Sequence, residues 1–407
     1  MENPREFERA YNKEYSSKSV PQFNNNFQPE LIRLQNEKGE IIKDNLVRWN
    51  LLKETYKVQD IFEKLLLELF LIHHPELKPK PECVKEEFAK YKAHYIKFDN
   101  EWAAGVWAAY PNKTLIHLLE DKDYYIVKTS RNLGLLTEDN LSRLKNLRVA
   151  VAGLSVGSIT AHCLAMEGVR QFYFADFDEL SGSNLNRLPA SLAEIGLAKT
   201  AIIGRKIWDL DPFAEITCDN RGLCEESIHS FFGGDNPVDV VIDAMDTIEG
   251  KILLRKEAKK RKIPVVWMLH MGDGVVQIGV ERYDRNPDYP LFHGRLERMQ
   301  KKFNRELNYF ESFLSIVNYE HLSSKVAYSF LGTCEYSFPG VSQLASTIFI
   351  AAGTVAKVVR MIAFGDNVNN EFFVTVDSVA NKNFQQDNQK DREATYKLMA
   401  SLGIKNE

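Results

Sequence analysis

The sequence predicts an α/β protein, a mostly parallel sheet with helices on both faces, preceded by a small α+β module. Three observations carry this reading. From Leu147 onward, strand and helix patterns alternate, which builds a parallel sheet covered on both sides. Gly153-Leu-Ser-Val-Gly157-Ser158 follows the apolar run Leu147-Arg-Val-Ala-Val-Ala152 and opens a helix, a context in which glycines let the backbone approach a phosphate. A second apolar run, Phe172-Tyr-Phe-Ala-Asp176, ends in a carboxylate where a Rossmann-like fold places its ribose acceptor.

Residues 1–45 are polar, with Phe23-Asn-Asn-Asn-Phe27 the stretch least suited to a core, and read as a flexible or loosely docked arm. From Lys53 to Leu77, Val58, Ile61, Phe62, Leu65 and Leu69 recur at helical spacing, and Pro75, Pro79 and Pro81 close the segment. A second helix is expected from Val84 to about Phe98. Gly105–Tyr110, Leu115–Leu119 and Tyr124–Val127 read as short strands separated by polar turns. Together, residues 46–130 form the amino-terminal module, expected to recognise a substrate or partner.

Residues 131–380 form the second domain. A helix starting at Thr137-Glu-Asp-Asn runs through Leu141 and Leu144 into the strand at 147–152. Further strands are expected at Phe172–Ala175, Ile216–Cys218, Val238–Ile242 and Val265–Met268, with helices at Thr200–Leu210 and Lys251–Arg261. The lysines from Lys251 to Lys262 read as a solvated helix face. Residues 291–330 interleave charges with Met299, Phe303, Leu307, Phe310 and Phe313, the pattern of a helical insertion. Gly340–Ala363 is small and apolar, a helix packed on the sheet; Phe372–Val376 is a late strand, and residues 381–407 are a polar tail.

Bulk properties narrow the function classes. A net charge of -4 with 27% charged residues leaves no basic excess for nucleic acid. No run reaches the roughly 18 apolar residues of a membrane span, and no apolar signal core follows Met1-Glu-Asn-Pro-Arg5, so a cytoplasmic location is expected. Cys83, Cys163, Cys218, Cys224 and Cys334 contain no Cys-x-x-Cys pair, against a zinc site and for a reducing compartment.

The chemistry-bearing residues favour ATP over a nicotinamide cofactor. Arg187 and Lys199 are two cations within one βα unit, suited to a triphosphate and to the charge that builds as pyrophosphate leaves. Asp246 follows the strand at 238–242, at the carboxyl end of the sheet, where a carboxylate can hold magnesium. A nicotinamide-dependent oxidoreductase, or a non-catalytic nucleotide-binding module that recognises a partner, stays open as an alternative.

Asp176-Phe-Asp-x-x-x-x-Ser-Asn-Leu-Asn-Arg187, Gly196-Leu-Ala-Lys199, Asp246, and the stretch from Gly340-Val-Ser342 to Ala351-Ala-Gly-Thr354 resemble the ThiF/MoeB family, which is similar to the adenylating domain of ubiquitin-activating enzymes. Gly-Leu-Ser-Val-Gly-Ser, with Gly105-Val-Trp before it and Pro290-Leu-Phe-His-Gly294 after it, looks most like a bacterial branch. The resemblance implies ATP-dependent adenylation of a carboxylate on a peptide, a ubiquitin-like or sulfur-carrier protein, or another acid, followed by transfer or cyclisation. It implies that Asp176 holds the ribose, that Asn184, Arg187 and Lys199 contact phosphates, and that Asp246 binds magnesium. Gly153, Ser155, Gly157 and Asp178 complete the expected cofactor contacts. Arg131 matches an arginine that reaches into the partner's site of a homodimer. Cys334 lies near where some relatives carry an acyl-accepting cysteine, although a single cysteine is more often a small buried hydrophobe. The sequence departs from the family pattern at Leu188, where a glutamine is usual, in lacking the zinc cysteines, and in the spacing from Cys334 to Gly340.

Overall fold

Two sheets organise the chain. The computed structural model describes residues 27–96, 100–303, 309–317, 323–334, 337–338, 340–376 and positions 393, 396, 397 and 400. Residues 1–26 of the arm expected over 1–45 and, apart from those four positions, the tail expected over 381–407 lie outside the described residues.

The first sheet comprises β1 (Glu30–Ile32), β2 (Lys57–Asp60), β3 (Val106–Tyr110) and β4 (Thr114–Leu118) in the order β1-β3-β4-β2, accompanied by α1 (Lys43–Thr55), α2 (Phe62–His73) and α3 (Pro81–Ile96). Order therefore begins well before residue 46. β1 pairs antiparallel with β3, and Ile32 and Leu34, two residues apart, are both buried, which anchors an otherwise polar stretch. The single helix expected over 53–77 is divided, because residues 57–60 pair in parallel with β4 and place Val58 opposite Leu115. Trp49 stacks on Trp102, and fully buried His117 lies between the rings of Trp107 and Phe62 while bonding Asp60 and the Ala104 carbonyl.

Tyr124–Val127 is not a strand but part of α4 (Asp121–Thr129). Asp121 and Asp123 in the first turn and Lys128 in the last complement the helix dipole. The Tyr124 hydroxyl donates to Leu210 O (2.6 Å) and the Tyr125 hydroxyl to Leu141 O (2.8 Å), so the aromatic pair ties this helix to the second sheet. Local β-propensity loses to these tertiary partners.

The second sheet contains β5 (Arg148–Ala152), β6 (Gln171–Ala175), β7 (Glu215–Asp219), β8 (Val240–Asp243), β9 (Val265–Gly272), β10 (Val275–Glu281) and β11 (Glu371–Thr375), ordered β11-β10-β9-β8-β5-β6-β7. Strands β9, β8, β5, β6 and β7 run parallel; β10, a strand the sequence pattern did not reveal, and β11 add antiparallel at one edge. Thr137 caps α5 (Glu138–Asn146) by accepting the Asn140 N–H at 3.1 Å, a contact worth about 1 kcal/mol. On one face, α6 (Val156–Glu167), α7 (Lys199–Leu210) and α13 (Ala345–Phe364) bury Leu164, Ile203 and Val355 against Val149, Val151 and Phe174. On the other, short α8 (Ile228–Phe231) and α9 (Ile248–Arg261) bury Phe231, Leu254 and Ala258 against Ala150 and Val241.

The charged stretch after β10 is helical as expected, forming α10 (Arg295–Phe303), α11 (Tyr309–Ile316) and α12 (Ser324–Cys334). Helix α13 is long and apolar enough by composition to cross a membrane, yet Val355, Ala356 and Val359 are fully buried in the core that it shares with α6 and the sheet.

Candidate active site

The glycine turn is shaped by close backbone contact. Gly153 has φ +85°, and a Cβ there would lie 2.5 Å from Ala244 O, so only glycine lets the end of β5 pass the loop that follows β8. A Cβ on Gly157 would meet Val151 Cγ1 at 2.7 Å, so this second glycine seats α6 on β5. The Gly153 N–H donates to Ala175 O and the Ala244 N–H to Ala152 O, drawing the ends of β6, β5 and β8 together.

Asp176 closes the turn from the side. Its Oδ2 accepts the Leu154 N–H at 2.5 Å and its Oδ1 accepts the Asp178 N–H at 2.7 Å. Burial raises its pKa, while the Lys199 charge pulls the other way. Each carboxylate oxygen has two acceptor sites, so capacity for a ribose hydroxyl remains.

Asn184 sits in the short 3-10 turn Gly182–Asn186, where its Oδ1 accepts the Ser181 N–H at 3.1 Å. That turn delivers Arg187 to the glycine motif: Arg187 Nε donates to Ser155 Oγ at 3.2 Å, at the N-terminus of α6. Lys199, the first residue of α7, is buried, and its Nζ donates to Asp178 Oδ2 at 2.8 Å. Lys199 lines a cavity of about 200 Å³, whose apolar wall includes Leu154, Leu180, Leu188 and Ile202 and whose polar lining includes His162, Lys206 and Asp209, so the departure at Leu188 falls on the apolar wall. Asp246 occupies the exposed loop between β8 and α9, two residues past the Ala244 that touches Gly153.

The structure thus gathers Gly153, Ser155, Gly157, Asp176, Asp178, Asn184, Arg187 and Lys199 at the carboxyl ends of adjacent strands, with the Asp246 loop against them. Arg131 stands apart. It is exposed in the turn Ser130–Asn132, and neighbouring Asn132 donates to Glu167 O at the far end of α6, a 12-residue helix about 18 Å long. Cys334 ends α12; its side chain lies outside the described residues. No group of three or more potential metal ligands forms among the described residues.

A set of buried charges behind the crevice escaped sequence reasoning. Lys251 and Arg255 are not on a solvated face: both are buried, and their charged ends meet Asp243, the last residue of β8. Arg255 also lies 2.7 Å from Glu281 on β10 and 3.9 Å over the Phe292 ring. Asp243 Oδ1 accepts the Met245 N–H at 3.1 Å, and Glu281 Oε1 accepts the Phe292 N–H at 2.6 Å. The network therefore joins the Asp246 loop to the entry of the helical segment. Burial opposes ionisation of Asp243, but the Lys251 and Arg255 charges outweigh it and hold its pKa below the ordinary value. The available signal was a carboxylate ending the run Val240-Val-Ile, followed by cations spaced i, i+4 on the apolar stripe of α9.

The sequence model of the ThiF family matches residues 129–396. The chain belongs to the ThiF family. An uncharacterised protein of Mycobacterium tuberculosis is 36% identical over 265 residues, 64% of this chain and 36% of that protein. The tRNA threonylcarbamoyladenosine dehydratase of Bacillus subtilis is 40% identical over 139 residues, 34% of this chain and 54% of that enzyme. The match thus spans little more than a third of the first relative's length and about half of the second's. The crystal structure of the E. coli tRNA N6-threonylcarbamoyladenosine dehydratase is 19% identical with a TM-score of 0.41, covering 60% of this chain and 98% of that one. The ThiF match begins two residues before Arg131 and takes in every candidate site residue, while the sheet of β1 to β4 lies outside it.

Proposed function

We propose that this ThiF-family chain adenylates a substrate carboxylate with ATP. A carboxylate oxygen attacks the α-phosphorus, pyrophosphate leaves, and an acyl-adenylate forms. The observation that supports this reading is that Arg187 bonds Ser155 of the glycine turn and Lys199 bonds Asp178, two residues past Asp176, the carboxylate that bonds the same turn and would take the ribose. Two cations fixed before the ligand arrives offset charge developing on the phosphates without reorganisation. Positioning and electrostatics supply most of the rate for such a displacement.

In this reading Asp246 would hold magnesium against the phosphates, and Arg131 serves the partner's site in a homodimer, consistent with its distance from its own. The amino-terminal module, residues 46–130 together with β1, selects the substrate, a peptide, small protein or other acid. The acyl group passes from the adenylate to its acceptor without Cys334. The location is cytoplasmic.

Heat denaturation with ligands tests the proposal. ATP with magnesium at a hundred times its Kd stabilises the fold by about 2.7 kcal/mol and raises the midpoint. NAD(H) leaves it unmoved. A midpoint indifferent to ATP overturns adenylation, and a response to NAD(H) alone restores the oxidoreductase reading.

A further inference from the structure

β8 stops at Asp243 while its parallel neighbour β9 runs on. Asp243 pairs with Trp267, and β9 continues to Gly272. His270 therefore stands three residues, about 10 Å, beyond the level at which β8 gives way to the Ala244–Asp246 loop. Alternation places His270 on the face of Val266 and Met268, which is the face covered by α6 and α13. The backbone here is held firmly: Thr347, in the first turn of α13, accepts the Gly274 N–H at 2.9 Å.

The His270 ring is largely buried, and neither Nδ1 nor Nε2 has a hydrogen-bond partner among the described residues. Leaving both nitrogens unpaired destabilises a fold. A methionine or phenylalanine would pack there without that cost. Burial pushes the ring's pKa down to about 4 against the weaker pull of the Asp273 charge and of its own backbone carbonyl, which lies outside hydrogen-bond geometry, so at neutral pH the ring offers one N–H and one lone pair.

We propose that His270 is a catalytic residue that contacts the acyl end of the adenylate, its ring N–H donating to the acyl carbonyl oxygen. Arg187 and Lys199 hold the phosphate end. The inference rests on the adenylation reading, and the unpaired nitrogens are the groups that a bound acyl-adenylate satisfies.

The test measures, by calorimetry on the full chain, the affinities of AMP, 5′-O-sulfamoyladenosine and 5′-O-(N-acetylsulfamoyl)adenosine, the last a stable stand-in for an acetyl-adenylate. His270→Phe should weaken the acetyl compound about tenfold, the loss of roughly one hydrogen bond, while AMP and the unacylated sulfamate change less than about twofold. His270→Gln, which keeps an N–H, should recover part of the loss. The Phe variant should also melt about 2–4 °C higher, because it removes two unpaired polar atoms. A Phe variant that binds all three compounds like the wild type, or loses all three equally and melts lower, overturns the proposal and makes His270 a wall residue. A wild type that binds AMP but gains nothing from the acetyl group overturns it as well, leaving adenylation intact. A wild type that binds neither ATP nor AMP removes the adenylation reading and this inference together.

Discussion

Lys199 meets Asp178 twice: its Nζ donates to Oδ2 at 2.8 Å, and its backbone N–H donates to the Asp178 carbonyl at 3.1 Å. The backbone contact seats the start of α7, and the side-chain contact fixes the cation before any ligand arrives. Asp178 keeps about half of its side chain exposed while that of Lys199 is almost fully covered, so this pair sits at the edge of water.

Lys199→Ala should therefore lower substrate-dependent pyrophosphate exchange about a hundredfold or more, since it removes charge stabilisation made mainly in the transition state. Asp178→Asn should cost less, about tenfold, by loosening the lysine while leaving its charge. The double variant should be no worse than Lys199→Ala, because the two residues act as one unit. Additive losses would show that Asp178 has a separate role.

Arg131 is expected to work across a dimer. Neither Arg131→Ala nor Lys199→Ala alone should be active, but mixing them should restore part of the exchange rate, since a mixed dimer assembles one complete site. Demonstrated subunit exchange with no return of activity refutes the contribution in trans.

Arg255→Met removes the cation shared by Asp243 and Glu281 and leaves Glu281 buried without its partner. Breaking a buried pair in this way destabilises by about 3–5 kcal/mol. Urea unfolding should show the loss directly. Arg255→Met with Glu281→Met should recover much of it, because removing both charges also removes their desolvation. A single variant within about 1 kcal/mol of the wild type would mean that the network contributes little.

Two histidines make the fold acid-sensitive. Burial pushes the pKa of both His270 and His293 down to about 4 from an ordinary 6.5. A depressed histidine is neutral when folded, so the unfolded chain binds more protons as pH falls from 6.5 toward 4. Stability is therefore full above 6.5 and declines through that window, by on the order of 3 kcal/mol for each ring. Urea midpoints from pH 7 to 4.5 should fall for the wild type and fall less for His270→Phe, a comparison that cancels the carboxylates. Parallel slopes would show that His270 does not titrate in that window.

Much of the candidate site was legible in the sequence because its residues are local to two consecutive βα units. Gly153 to Lys199 runs from the end of β5 through α6, β6 and two short turns to the start of α7, and the parallel pairing of β5 with β6 brings them together. The order of strand and helix signals after Leu147 likewise determined the parallel sheet. What only the tertiary structure decided depends on distant partners. Residues 57–60 become a strand because β4 lies beside them, Tyr124 and Tyr125 sit in a helix because Leu210 and Leu141 accept their hydroxyls, and Lys251 and Arg255 turn inward because Asp243 and Glu281 meet them there. His270 stands beyond the end of β8 only because β9 outruns it, a difference in strand length that no local pattern encodes.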